Sequence, residues 1–159
     1  MPVATRLVAA DAFWRDDGGS GGMDAQKAEA IVAIARKLNF RPKSVQALSI
    51  ERRAKQLAQM SDVSDLLATR ALIAYHLAAK RPMMAAFLDA VGIAHEAGVI
   101  TAEEVPVPDA AKLAQGVAAL RASFPADEVT LYLDTLVAID SDTWGAIEGA
   151  NPPPAAISP

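Results

Sequence analysis

Apolar residues recur at helical spacing along almost the whole chain, and no stretch sustains the alternation of apolar and polar residues that marks a strand. Positions three or four residues apart share one face of a helix, so this pattern predicts amphipathic helices. We predict helices at residues 24–38, 42–47, 50–59, 62–80, 82–97, 109–122, 126–138 and 141–148. The fold is therefore expected to be all-α, built as stacked αα-hairpins or as a compact helical bundle.

Residues that favour helix ends support these boundaries. Prolines stand where three of the helices begin, at Pro42, Pro82 and Pro125. Residues that terminate helices stand at three predicted ends, at Asn39, Gly98 and Gly149. Side chains placed to cap helix N-termini are Ser61, Asp109 and the capping-box pair Thr101 and Glu104.

The first 17 residues carry an amphipathic pattern of their own. Four apolar residues fall on one narrow stripe of a helical wheel, Val3, Leu7, Ala10 and Trp14, and Phe13 flanks that stripe. A helix this short is only marginally stable alone in water. If it is ordered, its stripe is expected to dock on another surface.

Residues 18–22 read Gly-Gly-Ser-Gly-Gly and are followed by Met23. Such a composition behaves as a flexible tether. It predicts an engineered linker that joins a peptide from a partner protein, residues 1–17, to a helical binding domain, residues 23–149. A natural Gly-rich loop is the alternative. Tethering raises the local peptide concentration and populates a weak complex. The Pro-rich residues 150–159 are predicted to form a flexible tail.

A short sequence repeat supports helical hairpins. Residues 87–91, Phe-Leu-Asp-Ala-Val, recur 45 positions later as Tyr-Leu-Asp-Thr-Leu at 132–136. Stacked αα-hairpins of this length weakly resemble HEAT-type repeats, which present a grooved surface to partners. A compact bundle explains the same pattern equally well.

Composition and charge narrow the function classes. The chain has no cysteine, so thiolate chemistry and thiolate zinc sites are excluded, and no signal-peptide or membrane-spanning pattern is present, so we expect a cytoplasmic protein. The net charge of −4 argues against nucleic-acid binding by bulk electrostatics. Residues 36–55 nevertheless contain seven basic residues against the single acid Glu51. Two solvated faces of opposite charge are the ordinary interpretation of this asymmetry.

Candidate catalytic residues are few. The only histidines are His76 and His95, and a hairpin with its turn near Pro82 would keep them too far apart to share a metal ion. No nucleotide-binding, hydrolase or zinc-protease motif occurs. The sequence therefore predicts a protein that is not an enzyme and holds no cofactor or metal.

The function that these patterns favour is a protein-protein interaction adaptor that binds a short amphipathic helix. Aromatic side chains are frequent hot spots, and adjacent methionines suit an adaptable groove. The predicted peptide anchors are Val3, Leu7, Ala10, Phe13 and Trp14. The predicted domain-side contacts are Ile31, Ala35, Arg41, Arg52, Arg53, Met83, Met84 and Phe87. Arg41, Lys43, Arg52 or Arg53 is expected to face Asp16 and Asp17. The alternative function is a nucleic-acid-binding module that uses residues 36–55.

Overall fold

The computed structural model describes residues 1–17 and 24–150. Its helices are α1 (Val3–Arg15), α2 (Ala25–Leu38), α3 (Pro42–Gln46), α4 (Ile50–Ala58), α5 (Asp65–Ala79), α6 (Arg81–Val91), α7 (Ala110–Ser123), α8 (Ala126–Ile139), α9 (Ser141–Trp144) and α10 (Ile147–Ala150). Two short strands, β1 (His95–Glu96) and β2 (Val99–Ile100), lie between α6 and α7. The predicted all-α fold is confirmed.

The chain divides into two compact units, Met1–Ala78 and Ala79–Pro159. Each unit has its own hydrophobic core. This division was not anticipated by the predicted single domain at residues 23–149. The predicted linker at 18–22 and tail at 150–159 fall almost entirely outside the described residues, so those boundaries stay predictions.

The core of the first unit collects one face from each of its longer helices. Its most completely buried large side chains are Phe13, Ile31, Ile34, Val45 and Leu67. Helix ends are fixed by local bonds: the backbone N–H of Lys27 donates to the Asp24 carboxylate at 2.8 Å. The other end of α2 lies at Asn39, as predicted, and Asn39 takes a left-handed conformation there.

The core of the second unit centres on an aromatic group. Phe87 on α6 packs edge-on against Tyr132 on α8, with ring centroids 5.8 Å apart, and lies 5.9 Å from the Trp144 ring. Gly116 brings α7 close to α6, because a Cβ there would lie 2.8 Å from the Val91 side chain. The two members of the sequence repeat, Phe87 and Tyr132, thus meet in one core.

The prediction of a helix over residues 82–97 is wrong beyond Val91, where α6 ends. Gly92 adopts φ +74°, and the N–H of Ile93 donates to the carbonyl of Leu88, which closes the helix. A two-residue turn with positive φ at both Ala97 and Gly98 then joins β1 to β2. His95 and Glu96 therefore lie in a hairpin and not at a helix end.

Several predicted caps also need correction. Helix α5 begins at Asp65, where the Ser64 hydroxyl accepts from the N–H of Leu67, so Ser61 is not its cap. No helix begins at Thr101 to Glu104, and Gly149 lies inside α10. The predicted cap Asp109 is confirmed, because its carboxylate accepts from the N–H of Lys112. Residues with capping chemistry are common in turns, and only some precede a helix.

Candidate functional site

Helix α1 packs along α4 within the first unit. Its buried residues are Ala9, Ala10, Ala12, Phe13 and Trp14. Phe13 is fully buried and Trp14 is 5% exposed, and their rings meet edge-on with centroids 5.0 Å apart. The segment predicted to be a docked amphipathic helix is thus helical and packed, through its aromatic end.

The buried face of α1 differs from the predicted stripe. Val3 is 63% exposed and Leu7 is 44% exposed, so neither anchors the packing seen here. Alanines on several sides of α1 make its faces similar in hydrophobicity. The position of α4 then selects the face that carries Ala9, Ala10 and the aromatic pair. Of the five predicted anchors, Ala10, Phe13 and Trp14 lie on the buried face, and their role as peptide anchors stays a prediction.

Cationic side chains flank the aromatic end of α1. The guanidinium carbon of Arg53 lies 4.7 Å from the centre of the Trp14 ring, a cation–π distance. Arg15 donates to the Asp11 carboxylate at 2.7 Å and lies 3.6 Å from the Glu51 carboxylate. The Asp11 hydrogen bond and charge raise the pKa of Arg15. Of the predicted arginines, Arg53 therefore lies beside residues 1–17. Its contact there is with the Trp14 ring, whereas the sequence predicted a contact with Asp16 or Asp17.

The carboxyl end of α1 is held by two cations that the sequence analysis did not identify. Arg70 on α5 donates to the Asp16 carboxylate at 2.5 Å and lies 3.4 Å from the Asp24 carboxylate. The Lys27 ammonium donates to the backbone carbonyl of Asp16. Neither Arg41 nor Arg52 is paired with Asp16 in the structure, and both are exposed. Arg70 did carry a signal, as the only Lys or Arg in the apolar run 66–79.

The other predicted contacts separate into two cores. Ile31 and Ala35 are buried in the same core as Phe13 and Trp14, and their role as binding contacts stays a prediction. Met83 and Phe87 are 1% and 0% exposed within the core of the second unit, and Met84 packs against that core. The methionine pair is therefore core and not an open groove, because its apolar stripe is covered by its own unit.

A small apolar pocket of about 100 Å³ remains beside α1. On the α1 side it is lined by Arg6, Ala9 and Ala10. Across from them it is lined by Leu57, Ala58, Leu67, Ala68, Ala71 and Leu72. The Nε atom of Arg6 is buried without a hydrogen-bond partner among the described residues. The groove that receives α1 is therefore incompletely filled at this level.

The first part of the basic segment, residues 36–43, is largely exposed where α2 meets α3. Four cations there are exposed and form no ion pair within the described ranges: Arg36, Lys37, Arg41 and Lys43. Phe40 lies among them in the chain and is 50% exposed. An exposed aromatic ring among cations is a feature of surfaces that bind anionic polymers.

Both histidines have hydrogen-bond partners that are close to them in the chain. In the first unit, His76 is buried and its Nδ1 lies 2.8 Å from the carbonyl oxygen of Leu72 on the same helix. In the second unit, His95 Nδ1 accepts from the N–H of Gly98, so its Nε2–H donates to Asp89. Over residues 1–17 and 24–150 no group of three metal-binding side chains occurs.

The chain matches no protein-family model, and neither a curated protein nor a solved structure matches it significantly. Within the two described ranges, every helix is too short or too polar to cross a lipid bilayer.

Proposed function

We propose that the first unit is a non-catalytic receptor for a short amphipathic helix and that α1 occupies its groove within the same chain. The single observation that carries this proposal is the burial of Phe13 and Trp14 on α1. This helix is joined to the rest of the first unit only through a Gly-rich segment of the sequence. Large aromatic anchors in a desolvated pocket are typical of helix-in-groove recognition.

The polar contacts around α1 support the same proposal. They lie at its edges: Arg53 over Trp14, Glu51 beside Arg15, and Arg70 on Asp16. An apolar centre surrounded by charged contacts is the usual anatomy of a protein-protein interface. The amphipathic helix is thus the partner class, and the Phe-Trp pair is its anchor.

A cut chain tests this proposal. A protease site replaces residues 18–22, the folded chain is cut there, and a labelled peptide of residues 1–17 is added while its fluorescence anisotropy is followed. We expect saturable exchange of the labelled peptide for α1, and loss of binding by the same peptide with Phe13→Ala. An Ala4→Ser peptide is the matched control, since Ala4 is exposed.

Two results contradict the proposal. Unfolding of the first unit on cutting would mean that α1 is an integral core helix. Equal binding of the parent and Phe13→Ala peptides would mean that the aromatic end is not the anchor. Far-ultraviolet circular dichroism of the cut chain separates the first result from simple dissociation.

A second candidate function is single-stranded nucleic-acid binding by the surface around Phe40. Phe40 is exposed, and four residues near it in the chain, Arg36, Lys37, Arg41 and Lys43, are exposed cations, which favours this candidate because bases stack on aromatic rings while cations bind phosphates. The net charge of −4 opposes it. Titration of a labelled oligodeoxythymidine at rising salt separates the candidates. Nucleic-acid binding falls steeply with salt, whereas apolar helix docking survives it.

A further inference from the structure

The face of α1 that lies against α4 and α5 is packed unevenly along its length. Arg6, Ala9 and Ala10 lie at i, i+3 and i+4, so they share one face, and all three line the pocket of about 100 Å³. One turn further along, Phe13 is fully buried and Trp14 nearly so. The same face is therefore tightly packed at its aromatic end and underfilled at the level of Ala9 and Ala10.

Two features of α1 weaken its fit at the pocket. Ala9 and Ala10 are each 3% exposed, yet their single methyl groups leave apolar volume unoccupied against α4 and α5. Unfilled volume forfeits dispersion contacts of the side chains around it. In addition, the Nε of Arg6 is buried without a hydrogen-bond partner among the described residues, and burying such a group is unfavourable.

We infer that the preferred partner is an amphipathic helix that keeps the Phe-Trp pair, carries an uncharged aliphatic residue at the position of Arg6, and places a large aliphatic residue at the position of Ala9 or Ala10. This inference rests on the proposed function. The opposite wall of the pocket is aliphatic, being made of Leu57, Leu67, Leu72 and alanines, so it complements such side chains. Because the pocket is continuous with the α1 interface, one helix fills both. Helix α1 is then a placeholder that such a partner displaces.

Peptide variants in the cut chain test this inference. Peptides of residues 1–17 with Ala9→Leu, Ala10→Leu or Arg6→Met are compared with the parent peptide. Ala4→Leu is the matched control, because Ala4 is exposed and does not line the pocket. We expect at least one of the two leucine peptides to bind about tenfold tighter than the parent, since each buried methylene strengthens binding severalfold. The Arg6→Met peptide is expected to bind a few-fold tighter, and the Ala4→Leu peptide within about twofold of the parent.

The outcomes separate the two proposals. If the parent peptide exchanges but neither leucine peptide binds tighter than the Ala4→Leu control, the inference is overturned and the proposed function stands. If no peptide exchanges, the proposed function fails and the inference fails with it. The melting temperature of the intact chain gives a second measure: Ala9→Leu or Ala10→Leu should raise it relative to Ala4→Leu. A lower value for both variants would mean overpacking and would also overturn the inference.

Discussion

The guanidinium of Arg70 on α5 is paired with the carboxylate of Asp16, the residue that follows α1, at 2.5 Å. Both side chains are largely withdrawn from water, with exposures of 18% and 27%. Arg70 also lies 3.4 Å from the carboxylate of Asp24, which precedes α2. One cation therefore holds the residues at both ends of the Gly-rich segment, which favours docking of α1 on its own chain.

Loss of this pair should weaken α1 docking. We predict that Arg70→Met lowers the free energy of unfolding of the first unit by about 1–2 kcal/mol, because the charge-assisted hydrogen bonds from Arg70 to the Asp16 and Asp24 carboxylates are lost. Asp16→Asn should lower it less. Urea denaturation of both variants and the double variant gives the coupling energy. Additive effects would contradict a direct interaction.

The anchor of α1 should be its aromatic end. We predict that Phe13→Ala lowers stability by about 3–5 kcal/mol, as for other fully buried phenylalanines. Val3→Ala and Leu7→Ala should change it by less than about 0.5 kcal/mol, because both side chains are exposed. Thermal unfolding of the three variants is the measurement. Comparable losses of stability for Leu7→Ala and Phe13→Ala would instead indicate that α1 packs through the stripe predicted from sequence.

Close packing of α6 and α7 depends on Gly116. A Cβ at this position would lie 2.8 Å from Val91 Cγ1 and 2.9 Å from Phe87 Cε2. We predict that Gly116→Ala destabilises the second unit by about 1–3 kcal/mol through overpacking. This loss exceeds the gain of up to about 1 kcal/mol from better helix propensity. Gly149→Ala is the control, since a Cβ there meets no atom within 4 Å. A stabilising Gly116→Ala would exclude this close contact.

The hairpin turn contains one strained and one crowded position. Ala97 has φ +49°, so Ala97→Gly should stabilise the second unit by up to about 1 kcal/mol. Gly98 has φ +84°, and its Cβ would lie 2.9 Å from the backbone oxygen of Arg81, so Gly98→Ala should destabilise it. Chemical denaturation of the two variants measures both signs. Equal effects would be inconsistent with this turn.

Two aspartates should respond oppositely to pH. Burial, followed by the charge of Glu148, raises the pKa of Asp134 above its ordinary 3.8. Its charged form is disfavoured in the folded state, so stability falls as pH rises from the ordinary pKa through the raised one. We predict that Asp134→Asn stabilises the chain at pH 7 by a fraction of a kcal/mol after solvent screening. The advantage should vanish below about pH 3, where the carboxyl is protonated in both states.

Asp140 is the matched comparison. Its carboxylate accepts from the Thr143 hydroxyl and from the N–H groups of Thr143 and Asp142, and these bonds lower its pKa. Because its folded pKa is depressed, its stabilising effect is present above the ordinary pKa and is lost as pH falls through the depressed one. Asp140→Ala should therefore lower the melting temperature at pH 7 and have a smaller effect in acid. An NMR titration of the Asp134 and Asp140 carboxyl groups checks the directions of the two pKa shifts.

The sequence by itself determined the helical class and most helix positions. Helix period, prolines at helix starts and caps such as Asp109 act within a few residues, so a short window contains the necessary information. The β1–β2 hairpin was not predicted, because two-residue strands are too short to show an alternation of apolar and polar residues. The C-terminal end of the helix predicted at 82–97 depended on which of two glycines, Gly92 or Gly98, terminated it.

Only the tertiary structure decided which face of α1 is buried and which cation meets Asp16. The alanines of α1 leave several faces nearly equal in hydrophobicity, so the position of α4 selects among them. Arg70 and Asp16 are 54 positions apart, and no local pattern connects them. The Met83 stripe was likewise visible in the sequence, but whether it is core or groove depended on what its own unit packs against it. Period and capping are local properties of a chain, whereas burial and charge pairing are properties of the packed whole.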